Sequence, residues 1–236
     1  MQKIIMLYFI PFLLLGCDVV DSYTFRSYVN TYYHYSDLSI SITNSGNIVI
    51  KGADFIKQYT WKSEGRDKVV YDSLCVLHGD MSYNKRRDYL IVPDWGHCSM
   101  NDIESINVVS NSNYDNQHLS GTSLNDMIRF ISVSPQKFID SNYSTTYNWD
   151  LDFPESFKKE SNMTNFKNSK ESVCFFPINK KLSEVDMSDL KLLMPEIIGY
   201  LIFEFSPSLD KTHLLSVTFK LSNGTIINKT IEKSFN

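Results

Sequence analysis

Leu215-Ser216-Val217-Thr218-Phe219-Lys220-Leu221-Ser222-Asn223-Gly224-Thr225-Ile226-Ile227-Asn228-Lys229-Thr230-Ile231 is the stretch on which the fold turns. Leu215, Val217, Phe219 and Leu221 alternate strictly with Ser216, Thr218, Lys220 and Ser222, the period of two that marks a strand with one buried face. Asn223-Gly224 follows, and the chain returns through residues 225–231. A two-residue turn at Asn223-Gly224 would set Phe219 against Asn228 and Leu215 against Glu232. A three-residue loop over 222–224, with Gly224 in a left-handed bulge, sets Phe219 against Ile227 and Leu215 against Ile231. A one-residue slip exchanges the two faces of a strand, so the second register, which keeps apolar against apolar, is the expected one.

The same signals recur upstream. Leu38, Ile40 and Ile42 alternate with Ser39, Ser41 and Thr43, Ser45-Gly46-Asn47 reads as a turn, and Ile48-Val49-Ile50 as the return strand. Residues 22–35 are dense in Tyr, Phe, Thr and Ser and suit an extended first strand. Further strands are expected at 69–77, 89–92, 103–109, 128–133 and 200–205. Helical signals are brief: Ser123 with Asp126, Ser134-Pro135 before residues 136–139, and Ser188 before Leu190, Leu192 and Leu193 up to Pro195. Many short strands without alternating β-α units predict a mainly β chain, an antiparallel β-sandwich of Ig-like type with a few short helical turns. The alternative is an α+β layered fold. Between 144 and 172 apolar periodicity fails, and this reads as a long polar loop or insertion.

Composition narrows the class. A hydrophobic fraction of 42% against 21% charged excludes a disordered chain. With 23 basic and 27 acidic side chains spread along it, the chain has no basic stripe for nucleic acid.

The amino terminus is the strongest pointer to location. Lys3 precedes an apolar run over 4–15, too short to cross a bilayer, which ends in Leu14-Leu15-Gly16-Cys17. This resembles a lipobox, so residues 1–16 are expected as a lipoprotein signal peptide and Cys17 as the acylated first mature residue. Two or three acyl chains at about 0.8 kcal/mol per buried CH₂ hold a protein on a bilayer. Residues 17–36 then form a tether or first strand and 37–236 a single β-rich domain. Removing 1–16 takes away Lys3 and leaves 22 basic against 27 acidic side chains, a formal −5, so the body itself has no attraction to anionic lipid.

If Cys17 is acylated, Cys75, Cys98 and Cys174 remain. Cys75–Cys98 is the favoured disulfide, each lying beside an expected strand, with three reduced buried thiols as the alternative. No C-x-x-C or H-x-x-x-H spacing supports a metal, and no cofactor is implied. No phosphate-binding, dinucleotide or nucleophile-elbow motif occurs. Asp150, Asp152 and Glu155 cluster beside Trp149, but residues so close on one loop seldom furnish the two separated carboxylates of a glycosidase. Asn111, Asn113 and Asp115 are spaced like the start of a calcium loop that lacks its glycine and its closing Glu. His34, His78, His97, His118 and His213 are isolated along the chain. Asp94-Trp95-Gly96-His97 is the most site-like tetrapeptide, and Trp95 and Trp149 are the two candidate ligand contacts.

Residues 102–108 (DIESINV), Asn113-Tyr114-Asp115, His118, residues 121–126 (GTSLND) and 134–139 (SPQKFI), taken with the lipobox and the Asn223-Gly224 hairpin, resemble a family of uncharacterised Bacteroidetes cell-envelope lipoproteins built on a domain of unknown function. The resemblance implies a protein of the cell envelope held to the outer membrane by its lipid, and carries no catalytic residues. The expected function is therefore a non-catalytic binding module for a glycan or a protein ligand. The alternative is a structural or assembly subunit of an envelope complex, and a hydrolase comes third. Cys17→Ala should abolish labelling of the expressed chain by a fatty-acid probe, and persistent labelling would refute acylation at this residue.

Overall fold

The structure is a computed structural model that describes residues 26–83, 96–169 and 172–235. Cys17, Trp95 and the strand expected at 89–92 lie outside the described residues. Nine strands are described: β1 Thr31–Ile42, β2 Ile48–Thr60, β3 His97–Ser99, β4 Ile103–Ser110, β5 Ile128–Ser134, β6 Phe176–Lys181, β7 Gly199–Phe203, β8 Thr212–Leu221 and β9 Ile226–Ser234. Four α-helices accompany them: α1 Gly65–Leu77, α2 Gln136–Asp140, α3 Glu155–Lys158 and α4 Ser161–Lys167.

The strands form two open sheets, one of six in the order β3-β1-β2-β7-β5-β6 and one of three, β4-β8-β9. The larger sheet is mixed, because β3 runs parallel to β1. Its two faces feed two cores. On one face Leu38, Ile48, Ile50, Phe130 and Leu201 meet Ile106, Val108, Val217 and Phe219 of the small sheet. On the other, Tyr32, Val49, Ile131 and Tyr200 meet Tyr71 and Leu74 of α1, Phe138 of α2, Phe157 of α3 and Met163 of α4. The result is a layered α+β fold, small sheet on large sheet on helices. The expected antiparallel sandwich is thus corrected: two sheets do pack face to face, but the larger is mixed and its far side carries a helical layer, as in the layered alternative.

The two hairpins follow the chemistry of their turns. β8 and β9 pair Phe219 with Ile227 and Leu215 with Ile231, the three-residue register. Leu221 N–H bonds Thr225 O at 2.9 Å and Gly224 takes φ 83°, where a side chain would be strained. At the β1–β2 turn Thr43 N–H bonds Asn47 O at 2.8 Å and Gly46 takes φ 81°, the same device. The expected Ser134 cap differs: α2 begins at Gln136 with Pro135 at the N-cap, while Ser134 Oγ, at the end of β5, accepts Gln136 N–H at 3.1 Å.

Several expected elements differ. The strand expected at 69–77 is α1: Tyr71, Leu74 and Cys75 face inward at helical spacing, while Val69, Val76 and Leu77 face solvent. The helix closes with a Schellman motif, Gly79 N–H to Val76 O at 3.1 Å and Asp80 N–H to Cys75 O at 2.8 Å, with Gly79 at φ 69°. No helix forms at 188–193, where Leu192 takes φ 53°. Nor does one form at Ser123, whose Oγ bonds Asn107 Oδ1 at 2.8 Å. The stretch at 144–169, read as a polar insertion, instead folds onto the large sheet through Trp149, Phe157, Met163 and Phe166. Among the described residues no helix is long and apolar enough to cross a membrane.

Where β7 crosses β5 the backbones are so close that a Cβ on Gly199 would overlap the Phe130 ring and stand 3.0 Å from Ile131 O. Gly199→Ala should lower stability by about 1–3 kcal/mol, the usual cost of overpacking, read as a fall in urea midpoint at unchanged slope.

Candidate functional site

The residues singled out by sequence are mostly structural. Trp149 is buried, donates Nε1–H to Ser172 O at 2.7 Å and lies among Tyr147, Phe153, Phe157 and Phe166. It presents no ring to a ligand. Cys75 on α1 and Cys98 on β3 are both buried and reduced, and with the half-buried Cys174 they form no disulfide among the described residues, so the expected Cys75–Cys98 bridge is absent. Burial pushes the Cys75 thiol up to about 11, aided by the charge of Asp80, and a thiol held so far from ionisation is a poor nucleophile.

The carboxylates do not converge on a reacting centre. Asp150 pairs with Lys167 at 3.1 Å, Glu155 with Lys158, and Asp152 accepts Tyr147 Oη–H at 2.6 Å. Asp152 and Glu155 line an open cleft of about 550 Å³ with Arg129 and Lys180. Those two cations are held by Glu204 at 2.5 Å and Asp189 at 2.6 Å. The calcium-like triplet is spent on backbone N–H groups: Asn111 Oδ1 accepts Leu214 N–H of β8 at 2.9 Å, Asn113 Oδ1 accepts Ser120 N–H at 2.9 Å, and Asp115 Oδ1 accepts Gln117 and His118 N–H at 2.7 Å. Among the described residues no group of His, Cys, Asp and Glu is arranged to hold a metal ion. His78 is sealed inside, its ring stacked on Tyr32 at 6.0 Å with Asp102 at 3.8 Å. Desolvation draws its pKa down, against the pull of Asp102, and a base so enclosed cannot reach a substrate.

The feature that stands out is an overhang. β1 and β2 pair from Ile42↔Ile48 out to Thr31↔Thr60, about 40 Å of ribbon at ~3.4 Å per residue, but β7 pairs only with Ile48–Ile50. Beyond Ile50 no described strand lies beside β2 on that side. Gly52 N–H still reaches Pro195 O at 2.8 Å, and Thr60 is closed by Ser63. Between them residues 54–58 are exposed, with Phe55 at 60% and Ile56 at 53%. Asp54 at φ 51° and the register shift opposite His34 and Tyr35 give the ribbon a local kink. Phe55 begins a row of rings across the sheet, 5.8 Å to Tyr33 and from Tyr33 5.6 Å to His97, tilted by 57° and 63°.

Other edges of the two sheets are protected, as edges in natural proteins are. β3 is three residues long, and β6 carries Pro177, Lys180 and Lys181. β9 presents Lys229 and Lys233, tethered to Asp37 and to Gly46 O. β4 is covered by its own chain: Gly121 N–H bonds Ser110 O at 2.7 Å and Leu124 N–H bonds Val108 O at 2.8 Å. The β2 overhang has Lys57, drawn aside to Asp67 of α1 at 2.6 Å.

What holds the far end of the overhang, at the Thr31↔Thr60 pair, is a buried carboxylate. Asp80, 0% exposed, accepts Tyr28 N–H at 2.7 Å, Val29 N–H at 2.8 Å and Tyr143 Oη–H at 2.9 Å. Tyr71 of α1 donates to Val29 O at 2.7 Å and accepts from Ser27 Oγ at 2.6 Å. Residues 27–29, which lead into β1, are thereby fixed on the helical layer. No family model, curated protein or solved structure matches the chain.

Burial raises Asp80 from 3.8 to about 6, against the three hydrogen bonds that favour its charge. A carboxyl whose pKa rises on folding contributes most below the unfolded value, and that contribution is lost as pH climbs from about 4 to about 6. Asp80→Asn keeps the shape but turns an NH₂ onto a backbone N–H. At pH 4.5 it should cost roughly 1–3 kcal/mol by urea unfolding, and the deficit should shrink by pH 7, where only the wild type buries a charge.

Proposed function

We propose that this chain is a non-catalytic assembly subunit that pairs through the β2 overhang with an extended segment of a partner protein. The observation that carries the reading is the stretch at 54–58: the outer edge of a long strand, unpaired by any described strand and with Phe55 and Ile56 facing water. Main-chain groups of an exposed edge give affinity for an added strand, and side chains beside it give selectivity. An added strand would continue the sheet in line with β7, flanked on one face by the Phe55–Tyr33–His97 row and on the other by α1. Phe55 and Ile56 lie adjacent on the edge itself, and neighbouring exposed apolar side chains mark interaction sites more often than singly scattered ones. A glycan platform is the weaker reading, because sugars favour broad open ring faces: Trp149 is in the core and the exposed row is made of mutually tilted rings. The expected acylation of Cys17 would hold the subunit at an envelope membrane and confine its search for a partner to that surface.

A photo-reactive side chain at Ile56 should form one stoichiometric adduct with one envelope protein, and the same probe at Leu151, exposed elsewhere on the surface, should not. Phe55→Lys should abolish that adduct while moving stability by no more than about 0.5 kcal/mol, as at other exposed sites. An adduct that survives Phe55→Lys, or equal yields from the two positions, would remove the overhang as the docking edge.

A further inference from the structure

The chain between β4 and β5 lies along the outer edge of β4 as a strap in place of a strand. Besides Gly121 and Leu124, it supplies Asn125, whose Oδ1 accepts Val108 N–H at 3.0 Å and whose Nδ2 donates to Ile106 O at 2.9 Å. Ile106 O, Val108 N–H, Val108 O and Ser110 O are thus all satisfied by the strap. Its two ends are joined through one ring. His118 Nδ1 stands 2.9 Å from Asp115 Oδ1, and Nε2 stands 3.1 Å from Asp126 Oδ1. A carboxylate only accepts, so both contacts are hydrogen bonds only when both ring nitrogens carry protons, that is, in the imidazolium.

We propose that His118 is a proton-operated latch that holds the strap over the β4 edge when charged and loosens it when neutral. The ring is mostly enclosed, its side chain 10% exposed, while Asp126 on the outer side is 56% exposed, so the latch communicates with solvent through one partner. Desolvation alone would draw the His118 pKa down, but the two carboxylates outweigh it and hold it above the ordinary imidazole range. The sign follows: the contribution is present below the ordinary value and is lost as pH rises through the raised one. The groups around it on neighbouring elements are otherwise engaged. Asp210 accepts Asn113 N–H at 2.9 Å, and His213 of β8 lies between Ser110 Oγ at 2.7 Å and Asp210 O at 2.9 Å. Tyr114 turns its hydroxyl to Phe205 O, and burial keeps it from ionising near neutrality. Leu124, 1% exposed, still pins the far end of the strap to the core, so the loosening is local.

Amide hydrogen exchange of the full chain at Val108, Gly121 and Leu124, corrected for intrinsic rates, tests this. Protection should fall several-fold from roughly pH 5 to pH 8 as the ring loses its second proton. In His118→Gln those amides should show the low protection at both pH values. In Asp126→Asn, which leaves Asp115 in place, the pH response should shrink without vanishing. An NMR titration of the wild-type His118 ring provides a reading independent of any variant's folding, with a midpoint expected above 6.5. A midpoint at or below that value, or protection independent of pH in the wild type, overturns the latch.

Discussion

The inner strands of the large sheet are covered on both faces, and most of the architecture follows from that. Strands β1, β2, β5 and β7 must offer apolar side chains on both sides, to the small sheet and to the helices, so neither layer can be removed without exposing a face of the other core. At about 1.5–3 kcal/mol for each large side chain removed from water, the two cores are what oppose the entropy of ordering the chain. Phe157 of α3 and Met163 and Phe166 of α4 join the core that α1 and α2 share with the sheet, which ties these short helices to the helical layer.

Asp80 ties this layering to the exposed ribbon. Its backbone N–H completes the end of α1 and its carboxylate receives the chain just before β1, so one residue couples the helix to the strand entry on which the overhang is built. A charge-capable group without solvent contact is tolerated here because three donors converge on it. The overhang is therefore held at both ends, by β7 pairing at Ile48–Ile50 and by Asp80 beside Thr31, and left open at 54–58. That contrast, rigid support under an unpaired edge, is what a strand-docking surface requires, since little ordering entropy is left for binding to oppose.

The two sheets manage their edges by different means, and the difference bears on function. Short length, Pro and Lys residues, ion pairs and a strap protect β3, β6, β9 and β4, whereas the free side of β2 exposes Phe55 and Ile56 and has its Lys57 paired away to α1. The strap belongs to a different class from the rest, because its covering is held partly by a titratable ring and not solely by packing.

Alternation was legible in the sequence wherever a strand has one wet face. β8 buries His213, Leu215, Val217, Phe219 and Leu221 in strict alternation, and the register of its hairpin follows from Gly224 and the need to keep Phe219 and Leu215 opposite isoleucines. The same holds for the turn at Gly46. The helix α1 was not legible, because Val69-Val70 and Cys75-Val76-Leu77 satisfy a strand pattern as well as a helical one, and only the inward set Tyr71, Leu74 and Cys75 distinguishes them. The polar look of 144–169 hid a core segment, since a few large rings, Trp149, Phe157 and Phe166, bury more area than their number suggests. Within the candidate site, Phe55 and Ile56 were unremarkable in one dimension: an exposed edge is defined by where the neighbouring strand stops. By itself, then, the sequence determined local pairing and turn geometry, both set by interactions between residues close in the chain. Only the tertiary structure decided the layering, the burial of Asp80 and the free edge of β2, because each depends on which distant segment comes to lie alongside.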